Sequence, residues 1–290
     1  MTARALLHGP THRAVVRAKP GSPPRSVGVG LLALAVGLAA NTVVGPLLLD
    51  LVEYPISDTL RNETIGLELV SLALVAPWTA LAGILVLRGR RFGTVLAMAP
   101  AAYVAYMFVQ YLAGIPSLSY GPQHLLQLGL VVLAGWILVE AVLAAGDTVT
   151  VPHGTAARRW SWLLLAMAGF IVLRWTPGLV GAFAGTDLPD AYAGDPGMHW
   201  TIFLLDLGVI VPCSVAAARG LRAERPAAAV GLHALVGWFT LVPVSVLAMA
   251  LTKQVNGDPL ASPVDSAMFA VATVLYLAVT VTLYAPLRRR

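Results

Sequence analysis

Eight stretches of this chain are each long and apolar enough to cross a lipid bilayer. They fall at roughly 27–50, 65–87, 93–114, 124–146, 160–184, 199–218, 227–251 and 264–286. A spanning helix needs about 20 such residues, whereas a barrel strand needs about 10 with alternating polarity. In hydrocarbon the backbone must satisfy its own hydrogen bonds, which a helix does within one segment. The expected fold is therefore all-α: a polytopic membrane helix bundle with eight transmembrane helices. Composition agrees. Apolar residues make up 58% of the chain and charged residues 11%, against about 25% charged in soluble domains. The mean hydropathy is +0.79. These values exclude a soluble enzyme and a disordered chain. A single cysteine, Cys213, excludes a disulfide scaffold.

Nineteen basic and fourteen acidic residues give a net charge of +5. That excess does not imply nucleic-acid binding, because sixteen of the nineteen bases sit on alternate connections. They occupy the N-terminal segment, Arg88–Arg91, Arg158–Arg159, Arg219–Arg225 and the last three residues. The opposite connections are acidic and carry only Arg61 and Lys253. The positive-inside rule then predicts that both termini are cytoplasmic and that the protein lies in the cytoplasmic (inner) membrane of a bacterium. Residues 1–26, rich in arginine and proline, read as a disordered cytoplasmic tail. Residues 27–286 read as the eight-helix domain, and 287–290 as a basic cytoplasmic C-terminus. The lipid bilayer is the expected partner.

Two spans share a local grammar. The second has LEL at 67–69, then Pro77, then the arginines at 88–91; the sixth has LDL at 205–207, then Pro212, then Arg219–Arg225. That pattern is what a parallel 4+4 duplication would produce. The runs NETIGLELVSLALVAP at 62–77, YVAYMFVQYLAG at 103–114 and LLDLGVIVP at 204–212 also resemble a group of uncharacterised multi-pass proteins of bacteria and archaea. The resemblance implies a helical membrane protein and assigns no activity.

Ionisable groups inside a span are costly and usually face protein or water. Four occur: Glu68, Glu140, Arg174 and Asp206. At 1.5 Å per residue, Glu68, Arg174 and Asp206 share the half of the membrane away from the arginine loops. An unpaired arginine at that depth is hard to sustain, so Arg174 is expected to pair with Asp206, Glu68 or both. Such a pair either fixes helix register or belongs to a ligand or proton site. Tyr103, Tyr106 and Gln110 share one face of the third span, Gln127 lies in the fourth, and His199 lies one heptad before Asp206. These residues predict an outward-facing polar pocket between helices 2, 3, 5 and 6. Asp206 and Glu68 would carry protons or act as general acids, and Arg174, Tyr103, Tyr106, Gln110, Gln127 and His199 would bind ligand.

No HExxH, Walker A, GxSxG or acid-rich magnesium motif is present, so no metal or cofactor is expected. Three function classes fit. The first is a protein binding or transporting a small molecule or proton. The second is a membrane-embedded enzyme using an intramembrane acid on an isoprenoid or other lipid, for example in a proton-initiated cyclisation. The third is a sensor or accessory subunit.

Overall fold

The computed structural model describes residues 24–52, 54–115 and 121–289. The expected tail lies outside the described residues except at its last three positions, as does Arg290 of the C-terminal segment. Among the described residues, eight helices are long and apolar enough to cross a membrane. They are α1 (Arg25–Val44), α2 (Asp58–Leu87), α3 (Phe92–Gly114), α4 (Pro122–Ala145), α5 (Gly154–Ala184), α6 (Pro196–Arg222), α7 (Pro226–Val255) and α8 (Pro263–Leu287). The all-α multi-pass bundle read from hydropathy is thus the observed architecture.

Local chemistry sets the helix ends. Four helices start on proline, whose missing N–H is unneeded in a first turn. Ser57 and Ser262 cap α2 and α8 by accepting from the amides of Leu60 and Asp265. Pro77 and Pro212 are mid-span and would each clash with a carbonyl four residues back. In both cases the five residues ending two positions before the proline, Ser71–Val75 and Asp206–Ile210, form a π-turn that opens the ladder. Asp206 is the first residue of its turn.

The π-turns are where α2 and α6 change partners. The segment Asp58–Val70 packs on α7, whereas Ala76–Leu87 packs on α1 and α3. In the same way Pro196–Leu205 packs on α3, whereas Val211–Arg222 packs on α5 and α7. Helices α3 and α7 pair at the centre and are the most enclosed, with 67% and 56% of their apolar windows buried; α8 is the least, at 17%. Helices α4 and α8 lie outside α3 and α7 respectively.

The register also repeats. Asp206 follows Ser71 by 135 positions, and Pro212 follows Pro77 by the same 135. The tight connections after α2 and α6 match at that offset. Amides of Arg88, Gly89 and Arg90 reach the carbonyls of Ile84, Val86 and Leu85; those of Ala223, Glu224 and Arg225 reach Arg219, Leu221 and Gly220. Each turn has one residue at positive φ, Gly89 at 72° and Glu224 at 53°. Glu224 bears a side chain in a region that favours glycine. Its carboxylate accepts from His153 Nδ1 (2.9 Å) and from the Gly154 amide (3.4 Å), which ties this turn to the start of α5.

Small residues allow the closest approaches. Gly28 and Gly83 bring α1 onto α2, and a Cβ on Gly83 would lie 3.0 Å from the Gly28 carbonyl oxygen. Gly37 meets Leu130 of α4, and Asn41 is buried nearby. Ala33, two turns before Asn41, is exposed.

Candidate functional site

A cavity of about 230 Å³ opens on the acidic side of the bundle, between α2, α3, α5, α6, α7 and α8. Tyr103, Tyr106, Gln110, Arg174 and Asp206 all line it. The sequence pointed to α2, α3, α5 and α6; α7 and α8 complete the wall through Ser245, Lys253 and Asp265.

Asp206 lies at the buried end and is 5% exposed. Its Oδ1 accepts from the Tyr106 hydroxyl at 2.7 Å, and its Oδ2 from Trp175 Nε1 at 2.7 Å. Both donors are neutral, so they position the carboxylate without cancelling its charge. Tyr106 rests edge-on against Trp238 at 5.1 Å, and Trp175 against His199 and Phe203 at 5.2 and 5.4 Å. These aromatic contacts hold both donors in place. One turn before Tyr106 on α3, the fully buried Tyr103 shares a 2.7 Å hydrogen bond with Ser245 of α7.

The expected ion pair is not formed. Among the described residues Arg174 makes no salt bridge. Each oxygen of Asp206 accepts instead from a neutral donor, Tyr106 or Trp175. Arg174 is exposed on α5, and its guanidinium lies 5.5 Å from the centroid of the Trp175 ring. It shares the cavity wall with Asp206 rather than a contact.

At the mouth, Lys253 Nζ donates to Glu63 Oε1 at 2.7 Å across the α2–α7 crossing. This partly buried pair was not anticipated. The signal was available: Arg61 and Lys253 are the two bases on an otherwise acidic side, and each has found an acid, Arg61 on Asp50 at 2.5 Å. Tyr192, in the α5–α6 connection, has its hydroxyl pushed up to about 12 by burial and then by the nearby Glu63 carboxylate. Asp195 receives both the amide and the hydroxyl of Ser57, at 3.1 and 2.6 Å, linking the starts of α2 and α6.

Three sequence candidates lie elsewhere. His199 packs among Trp175, Tyr192, Trp200 and Phe203, and its Nδ1 has no partner. Glu68 turns away from the cavity toward the end of α1, where its Oε2 accepts from the Leu47 amide at 3.3 Å. Its neighbour Leu67 lines the cavity instead, because successive helix residues are turned by about 100°. Gln127 joins Asn41 and Tyr54 on that other side.

A second, apolar groove of about 640 Å³ runs along α3, α4, α6 and α7 on the arginine side. Tyr106 and Trp238 close one end, Arg225 lies at the other, and alanines, glycines and larger aliphatic residues line the length between. Tyr106 thus touches both spaces, with its hydroxyl on Asp206.

Comparisons with known proteins returned no match: no family model, no curated protein and no solved structure resembles the chain significantly.

Proposed function

We propose that this multi-pass membrane protein binds or transports a small polar solute or a proton through the cavity on its acidic side, with Asp206 as the proton-carrying or solute-anchoring group. One observation carries the reading. Asp206 is a buried carboxylate oriented by two neutral donors at the end of an open cavity, with the cationic Arg174 in the same wall. Intramembrane acids of this kind are expensive unless they work. The cavity holds about eight waters at roughly 30 Å³ each, the size of a small solute. Opposite charges in one wall suit a solute bearing an ammonium and a carboxylate.

The test is a thermal-shift screen of amino acids, short organic acids and polyamines on purified wild type. Any ligand found is expected to lose its effect in both Asp206→Asn and Arg174→Gln. Undiminished shifts in both variants would refute the assignment.

The apolar groove supports a second reading, in which Asp206 acts through Tyr106 as a general acid on an isoprenoid or other lipid lying in that groove. Conversion of a supplied polyprenyl substrate that disappears in Asp206→Asn would favour it over the first. Residence in the cytoplasmic membrane with the arginine side inward, and membership of the multi-pass group that the short motifs resemble, belong to the same proposal. Neither assigns an activity.

A further inference from the structure

A second polar cluster is buried between α1, α2, α3 and α4, away from the cavity. Gln127 is fully enclosed, and its Nε2 donates to Tyr54 at 3.1 Å and to Asn41 Oδ1 at 3.4 Å. Tyr54 stacks on Tyr111, with ring centroids 5.5 Å apart. Glu68, 2% exposed, presses against Gly45, where a Cβ would lie 2.5 Å from its Oε1. The Gly45 amide in turn bonds to the Asn41 carbonyl, which places Glu68 against the same end of α1 as Asn41. The Tyr54 hydroxyl, in the α1–α2 connection, is held above its usual range by burial and then by the Glu68 carboxylate.

The cluster is polar but incomplete. Glu68 Oε1 and Gln127 Oε1 are both buried and have no hydrogen-bond partner, and the buried Tyr111 hydroxyl, near Thr64, makes no well-formed hydrogen bond. Unpartnered buried polar atoms are rare and each is costly. An ionised Glu68 would be unbalanced as well, since among the described residues no cationic side chain pairs with it. The negative end of the α1 dipole points to the same place. Every group on offer is a hard oxygen: one carboxylate, two amide carbonyls and two phenols. Such a set suits an alkali or alkaline-earth ion, not a soft metal. With one carboxylate, a monovalent ion leaves the site neutral, whereas a divalent ion would bury an uncompensated positive charge.

We propose that Glu68, Gln127, Asn41, Tyr111 and Tyr54 form a binding site for a monovalent alkali cation, with sodium as the probe. The site is separate from Asp206 and does not rest on the function proposed for it.

The experiment is equilibrium binding of radiolabelled sodium to the purified full chain, with ionic strength held constant by choline chloride. Wild type is expected to bind about one sodium per chain, and Glu68→Gln to bind none. Tyr111→Phe deletes only a hydroxyl that makes no well-formed hydrogen bond, so the fold survives; its affinity is expected to fall roughly 3- to 10-fold, the scale of one polar contact. Gln127→Leu is expected to lose binding and serves if Glu68→Gln does not express. Asp206→Asn is expected to bind sodium as wild type does. Absence of saturable binding in wild type, or wild-type affinity in both Tyr111→Phe and Gln127→Leu, overturns the proposal. Equal melting temperatures in sodium and choline, with a response to pH alone, also overturn it, because the site then holds a proton.

Discussion

Gly66 is where α2 comes closest to the backbone of α7. A Cβ there would lie 2.6 Å from three backbone atoms of α7, at Ala248 and Met249. No side-chain rotation relieves that clash, because the obstacle is main chain. Restoring ordinary contact requires α2 and α7 to separate by roughly 1 Å, at a cost typical of overpacking, about 1–3 kcal/mol. The helix propensity of alanine over glycine returns about 0.8–1 kcal/mol. Gly129 isolates that second contribution. It is exposed on α4, and a Cβ added there meets nothing within 4 Å. Gly129→Ala is therefore expected to be neutral or slightly stabilising. Gly66→Ala should be less stable than Gly129→Ala by about 1–3 kcal/mol, or roughly 2–12 °C in melting temperature. The Glu63–Lys253 pair spans the same crossing, so it should loosen too. Thermal unfolding of the two variants in one detergent is the assay. A Gly66→Ala protein as stable as Gly129→Ala would refute the close α2–α7 crossing.

Lys253→Met should cost about 1–3 kcal/mol by stranding the partly buried Glu63, and the double variant Lys253→Met/Glu63→Gln should recover much of it; equal single and double losses in denaturant melts would show that the pair is not coupled. Burial alone would raise Asp258, but bonds from Asn62, the Leu260 amide and Thr59, with Lys253 nearby, outweigh it and hold its carboxyl below the ordinary value. A lowered native pKa contributes stability that is complete above the unfolded value near 3.9 and is lost as pH falls through the native one. Hydrogen-exchange protection at residues 256–262, corrected for intrinsic exchange, should therefore hold down to about pH 4 and fall below it, and Asn62→Ala should make that fall smaller by bringing the native pKa closer to the unfolded one. An acid loss of protection undiminished in Asn62→Ala would disprove the link.

The eight spans were legible because length and hydropathy act on whole segments, and offsets of up to seven residues at their ends leave the count unchanged. Tyr103, Tyr106 and Gln110 were legible for a related reason: their i, i+3, i+7 spacing sets one helix face regardless of neighbours. Asp206 was marked by depth alone. What failed was azimuth. Leu67 and Glu68 are adjacent, and only the packing of α2 on α7 decides that Leu67 meets the cavity and Glu68 the end of α1. The Arg174 pairing failed for the same reason: depth says nothing of azimuth, and Arg174 is exposed on α5 while Asp206 is buried and oriented by Trp175 and Tyr106. Ser245 carried no signal, since an isolated serine in a span ordinarily bonds back to its own helix, as this one also does to Leu241. The repeated grammar of the second and sixth spans was visible as an acid followed by a proline. The matching position across the two halves is, however, Ser71 to Asp206, not Glu68 to Asp206.

A π-turn holds one residue more than the α-helix around it requires, and that surplus has a location. In α6 it begins at Asp206. Were the surplus to migrate along the helix past this position, the carboxylate would swing by about 100° about the axis. It would leave both the phenol and the indole behind, with neither end of the helix having moved. In α2 the same surplus begins at Ser71, and the same slippage there would carry no charge across the bundle. Two helices that share one register are thus electrically unequal.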